Sequence, residues 1–445
     1  MMDLTSAQYI QLIVALALVI IAFVGAYMGP ERAVITVLIL LLPFQPIASR
    51  FGTVNTGLAL LVFAAFFLNG RVRRFPMLLL AGAVMLAYVV SFTQVHRATY
   101  SDHLYYLVAM GANFSLFYLV YNHVRRTGDV RGFFNILLWL NILFDIYCLA
   151  QLLVGVNPEA IIGKGDLSLQ VNRADARLAG PFAAVGMTAE YLVIQVLLLL
   201  HMYMHEPRKA KKYLLVGVMM ANLAFLVATG NRGGFLVLIG GGILYLIWFR
   251  REFGLGPLLV RATAGAIMLA VMSVVVVSFT EFGVLFDRLQ GTQVKEGVPD
   301  TRAVIWPLAW DRILDAPVIG HGPRIRLIDE ELRRIPGHEF MPYPHSGYLF
   351  VLYTIGFVGL MAWFVFFFAL FRQYRRARYN LHPDPFIARL PKVAILILVV
   401  FFVDQIKVAM FRFNLSDYQQ IMFVLFGGLL GAAWVAMHPP PSNNQ

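Results

Sequence analysis

The chain has 445 residues, 60% hydrophobic and only 13% charged, with a formal net charge of +12, whereas an ordinary soluble domain is about 45–50% apolar and about 25% charged. This balance excludes a soluble globular fold and implies an all-α polytopic membrane protein, because lipid admits only helices or closed barrels and the long apolar runs lack barrel alternation. The positive charge then belongs to loop lysines and arginines, not to nucleic-acid binding, and the single cysteine, Cys148, excludes an internal disulfide or a cysteine metal cluster.

Apolar stretches near 8–28, 31–48, 55–69, 76–94, 103–121, 132–154, 183–204, 213–229, 234–249, 257–279, 346–371, 391–411 and 418–437 predict about 12–13 transmembrane helices. The second and third are short, and Pro43 and Pro46 interrupt the second, so the two form either kinked spans or one re-entrant hairpin. Met1 to Gln11 carries no basic region, which reads as a retained first span instead of a signal peptide. Basic clusters at Arg71/Arg73/Arg74, Arg125/Arg126/Arg131, Arg208/Lys209/Lys211/Lys212, Arg250/Arg251 and Arg372/Arg375/Arg376/Arg378 recur on alternate connections and mark these as cytoplasmic. The organisation predicted is therefore N-terminal membrane helices (1–154), a periplasmic loop (155–182), central membrane helices (183–279), a large periplasmic catalytic loop (280–345), C-terminal membrane helices (346–437) and a cytoplasmic tail (438–445). Within the large loop, Ile325, Ile328, Leu332 and Ile335 share one stripe, which predicts a short amphipathic interfacial helix over 323–336.

Ionisable residues at membrane depth are costly and mark candidate sites. Asp404 and Lys407 are three apart on one helical face and read as a neutralising structural pair; Asp145 and Glu190 have no partner nearby in sequence and read as hydrogen-bonding to other helices. Arg232, in the Thr229-Gly230-Asn231-Arg232-Gly233-Gly234 turn, is held at the outer boundary because almost no loop joins its flanking spans. A snorkelling arginine would serve there too, but the glycines leave room for a bulky group. Arg177 precedes a span at the same boundary, Arg302 lies in the large loop, and His345 stands where the chain re-enters the membrane. Taken singly, each fits a solvated or hydrogen-bonded surface residue; together, three strong cations and one proton acceptor suit an anionic, lipid-borne substrate.

The ordered set Arg177-Leu178-Ala179-Gly180-Pro181-Phe182, Asn231-Arg232-Gly233-Gly234, Arg302-Ala303-Val304-Ile305-Trp306, Pro317-Val318-Ile319-Gly320-His321-Gly322, Pro344-His345-Ser346-Gly347-Tyr348-Leu349 and Ile355-Gly356-Phe357-Val358-Gly359 resembles the O-antigen ligase and polysaccharide polymerase superfamily of integral membrane glycosyltransferases. The resemblance spans roughly residues 170–365; Ser346 departs from it where many relatives have Asn, and Ala183 to Glu190 lacks a Pro-Asn pair often found there. It implies a multi-pass protein of the bacterial inner membrane whose active site faces the periplasm. Such enzymes move a glycan en bloc from undecaprenyl diphosphate to an acceptor on a lipid-linked glycan or the lipid A core, beside membrane lipids and a chain-length regulator. By similarity Arg232, Arg302 and Arg177 bind the diphosphate and His345 is catalytic. No cofactor is expected. The absence of an Asp-x-Asp motif predicts metal-independent transfer, with arginines stabilising the leaving group and His345 as general base. Residues 281–345 hold eight basic against ten acidic side chains, which favours a polymerase over a ligase seeking the anionic lipid A core. A lipid-linked glycan flippase or secondary transporter is the reading from another class.

Overall fold

The computed structural model describes residues 19–44, 48–49, 52–95, 100–154, 177–182, 184–254, 301–322, 344–380, 382–407 and 416–439, with scattered positions between 256 and 274. The interfacial helix expected over 323–336 lies outside the described residues, as do most of the 257–279 span and most of the 155–182 loop.

The described helices run α1 (Val19–Met28), α2 (Glu31–Leu41), α3 (Val54–Leu68), α4 (Leu78–Ser91), α5 (Tyr100–Thr127), α6 (Val130–Val154), α7 (Val185–His205), α8 (Lys209–Ala228), α9 (Arg232–Phe253), α10 (Thr301–Asp315), α11 (Gly347–Ala377), α12 (Pro385–Asp404) and α13 (Ser416–Met437). Eight of these, α5 to α9 and α11 to α13, are long and apolar enough to cross a membrane. The protein is an all-α polytopic membrane protein, as composition predicts. Between α2 and α3 the chain makes a two-residue hairpin, β1 (Ala48–Ser49) with β2 (Gly52–Thr53), paired Ala48 to Thr53 and Ser49 to Gly52. The stretch 31–48 is thus not one span: α2 has 11 residues and stops before Pro43, where a helix would lose a backbone donor.

At the centre, α5 and α13 pack more extensively than any other pair. Gly427 and Gly431 face α5 so closely that a Cβ at Gly427 would collide with the Phe117 carbonyl and one at Gly431 would come within 2.8 Å of Val124 Cβ; small residues four apart permit this approach in a bundle that gains little from hydrophobic association in lipid. Phe114 sits edge-on to Phe366 and Phe423, carrying the core across to α11.

All the described basic clusters meet at one end. Arg131 forks onto Asp384 with bonds of 2.8 and 2.9 Å, Glu252 pairs with Arg389 and Lys392, Glu206 with Lys211, and Glu31 with Arg126 and His123. These contacts join the starts of α2, α6, α8 and α12 to the ends of α5, α7 and α9. Arg177, Arg232, His345 and Lys407 therefore lie at the opposite end, since each adjoins the other terminus of one of these helices.

The helix α11 departs most from expectation. Its backbone breaks at Gly356 (φ 66°, ψ −169°), a conformation open essentially to glycine alone. Tyr348 and Phe364 would stand about 24 Å apart on a continuous helix, yet their rings stack with centroids 5.9 Å apart. The predicted span 346–371 is therefore two helices folded against each other: a short arm, 347–355, doubling back at Gly356 onto a longer arm, 357–377. The longer arm alone, about 31 Å by helical rise, matches a hydrocarbon core of about 30 Å.

Candidate functional site

A sharp reversal between two helices strands the last carbonyls of one and the first amides of the next. Here the segment after α10 supplies partners for two of those carbonyls and two of those amides. His321 and Gly322 donate their backbone N–H groups to the Tyr353 and Thr354 carbonyls (2.8 and 2.9 Å), while Phe357 and Val358 donate theirs to the Pro317 and Val318 carbonyls (2.8 and 3.2 Å). The two chains approach so closely that a Cβ at Gly320 would strike the Thr354 backbone and one at Gly356 the Val318 backbone. The Pro317 to Gly322 and Ile355 to Gly359 motifs are thus the two halves of one main-chain clip.

The clip docks α10 along the short arm of α11. Ile305, Ala309 and Ile313 bury against Leu352 and Tyr353, and at the other end of the contact Trp306 donates its indole N–H to the Pro344 carbonyl at 2.7 Å. His345 follows, half-buried, with φ of 48°, a left-handed backbone that costs an L-residue about 1–2 kcal/mol. Arg302 lies in the first turn of α10, one turn before Trp306. The sequence did not mark α10 as a helix. Pro307 lies inside it and the run is neither long nor strongly apolar, so only the heptad-like Ile305, Ala309, Ile313 stripe signals it.

Arg177 and Arg232 come together at one turn. The Arg177 Nε donates to the Thr229 carbonyl at 2.9 Å and the Leu178 amide to the Ala228 carbonyl at 3.0 Å. Arg232 opens α9, where Asn231 caps the helix by accepting from the Gly234 amide at 3.1 Å. Both guanidinium-bearing residues are half-buried. Against the same turn lies Lys407: a Cβ on Gly233 would fall within 2.7 Å of its Nζ. Lys407 is 17% exposed and pairs at 2.5 Å with Asp404, which is fully buried. The predicted pair exists, but it is also part of the site wall. Glu190 completes it, accepting from Gln405 Nε2 at 3.3 Å, so Glu190 does hydrogen-bond to another helix, as does α11 itself: the Gly347 amide donates to the Gln405 carbonyl at 2.8 Å and the Tyr348 hydroxyl to the Phe402 carbonyl at 2.6 Å.

The Asp404 to Lys407 turn therefore bridges the start of α9, with Arg232, to the start of α11, with His345. Two helix N-termini, each worth roughly half a positive charge, meet Arg177, Arg232 and Lys407, the last paired with Asp404. Such a surface stabilises an anion, and an imidazole beside it can take a proton. Sequence reading placed Arg177, Arg232, Arg302 and His345 near one depth and left out Lys407, because its i,i+3 spacing to Asp404 already accounted for its charge.

Residues 215–364 match a family model described as O-antigen ligase, consistent with the superfamily whose motifs the chain resembles. The matched stretch contains Arg232, Arg302, both halves of the clip and His345, while Arg177 and Lys407 fall outside it. No curated protein matches the chain.

Proposed function

We propose, from this O-antigen ligase family domain on a multi-pass membrane scaffold, that the protein is a glycosyltransferase taking its glycan from undecaprenyl diphosphate and passing it whole to an acceptor sugar hydroxyl. The observation that carries the reading is the meeting of Arg177, Arg232 and Lys407 at one turn, tied through Gln405 to the helix that begins beside His345. In the reaction the anomeric carbon leaves the diphosphate as the acceptor oxygen arrives, so negative charge grows on the leaving group. Fixed guanidinium groups in a partly dehydrated site stabilise that charge without reorganising. Arg232, Arg177 and Arg302 hold the diphosphate, the reaction runs without a metal ion, and His345 accepts the proton of the incoming hydroxyl.

The near-neutral, slightly acidic composition of residues 281–345 supports a polymerase that extends a second lipid-linked chain in the periplasm, with this end of the bundle facing outward from the bacterial inner membrane and a chain-length regulator alongside. The second reading is a ligase delivering glycan to the lipid A core, the activity named in the family description. Purified protein in vesicles containing a lipid-linked repeat unit distinguishes them. Longer lipid-linked glycans identify a polymerase; glycosylated lipid A core, formed only when core is added, identifies a ligase. Transbilayer movement of unaltered substrate would replace both with a flippase.

A further inference from the structure

We infer that Trp306 is a positioning residue for His345. The inference rests on the glycosyltransferase reading for its kinetic part and on geometry alone for the rest.

His345 holds a backbone conformation that an L-residue avoids, so something outside the residue must hold it there. The Pro344 carbonyl is the last rigid atom group before it, because the proline ring fixes its own φ. Pro344 is buried, and Trp306 supplies its carbonyl with a donor at 2.7 Å from a helix 38 positions earlier in the chain. Trp306 is itself anchored on both sides: Ile305 and Ala309 of the same helix bury against the short arm of α11, and the helix's far end is locked by the four backbone bonds of the clip. On the other flank of His345, the Gly347 amide is tied to the Gln405 carbonyl. The imidazole is thus carried on a segment pinned before and after itself, and the indole N–H is the pin contributed by the helix that bears Arg302. One side chain therefore sets the register between the proton acceptor and the arginine helix.

Trp306→Phe tests this because it keeps the aromatic ring and removes only the donor. Trp310→Phe, four residues on at a 44% exposed position, is the control. Two readouts are taken on full-length protein in detergent or vesicles. The first is the rate of glycan transfer from a lipid-linked repeat unit. W306F is expected to lower turnover by about 10²-fold with the half-saturating donor concentration nearly unchanged, and W310F to leave both unchanged. The second needs no substrate: His345 is modified with diethyl pyrocarbonate and followed by peptide mass spectrometry. W306F is expected to change the modification rate of His345 several-fold while the rates at His201 and His205 and the melting temperature stay at wild-type values. Wild-type turnover and wild-type His345 reactivity in W306F would overturn the assignment. A uniform change in all histidines with a lowered melting temperature would overturn it in favour of a merely structural tryptophan. If the wild-type protein transfers no glycan, the functional reading fails, and the His345 modification rate still decides whether Trp306 positions it.

Discussion

At the scale of single residues, the site combines groups that do different work. His345 is half-buried at a helix start and pinned on both flanks, so His345→Ala should fold normally and lose turnover by about 10²–10⁴-fold; wild-type glycan length in membranes carrying H345A would remove the imidazole from the chemistry. Arg232 presents a planar fork from a capped helix terminus. Arg232→Lys keeps the charge but loses bidentate contact with an anion, so R232K is expected to recover little of the activity lost in R232A, while a chelator leaves the wild-type rate unchanged. Full recovery in R232K would make the contact a point charge only. The sequence exposed these residues because a charge at the membrane boundary has few reasons to be there. It hid the second role of Lys407, since a lysine three positions from an aspartate already has an explanation, and its contact with Gly233 joins positions far apart in the chain.

Among the elements, the long apolar helices α5 to α9, α12 and α13 were legible because burial in lipid requires a continuous apolar run, although α12 begins and ends earlier than the predicted 391–411, at Pro385–Asp404. What the sequence could not disclose was the fold-back of α11 and the helix α10 docked on it. Both are decided by main-chain bonds between remote segments, and main-chain groups leave no side-chain pattern beyond the glycines that permit their approach. Gly356→Ala should therefore be severe for its size. The left-handed backbone alone costs about 1–3 kcal/mol, and the added methyl strikes the Val318 carbonyl, so the variant is expected to melt several degrees lower and to lose activity together with Gly320→Ala; an unchanged melting temperature would show that the corner relaxes freely. At the other end, burial raises the Asp384 carboxyl, but the two bonds from Arg131 and the Phe386 amide outweigh it and hold the group below its ordinary value. A depressed carboxylate stabilises above its unfolded value of about 3.9 and loses that contribution as pH falls through the lower folded value. Asp384→Asn should cost about 0.5–1 kcal/mol at neutral pH for so exposed a pair, and the deficit should vanish in strong acid. A deficit that persists there would assign it to the lost helix cap.

For the molecule as a whole, the proposed orientation assigns the basic end to the cytoplasm and the arginine and histidine end to the periplasm. Cys148 is buried and will not compete with an introduced thiol. Val318→Cys, at a 58% exposed position beside the Gly356 corner, should react with a membrane-impermeant maleimide on intact spheroplasts, and Tyr379→Cys, 72% exposed at the basic end, only after permeabilisation. The reverse result would invert the protein in the bilayer and with it the source of its substrate. The clip also dictates an order of biogenesis. Residues 317–322 leave the ribosome before the backbone that receives them at 353–358 has been made, so at roughly 5–20 residues per second the newborn segment waits several seconds with its amides and carbonyls unmatched. Only translation of the following helix closes it, which makes the completed corner a late checkpoint in assembly: a nascent chain truncated before Val358 would carry Arg177, Arg232, Arg302 and His345 and still have no formed centre.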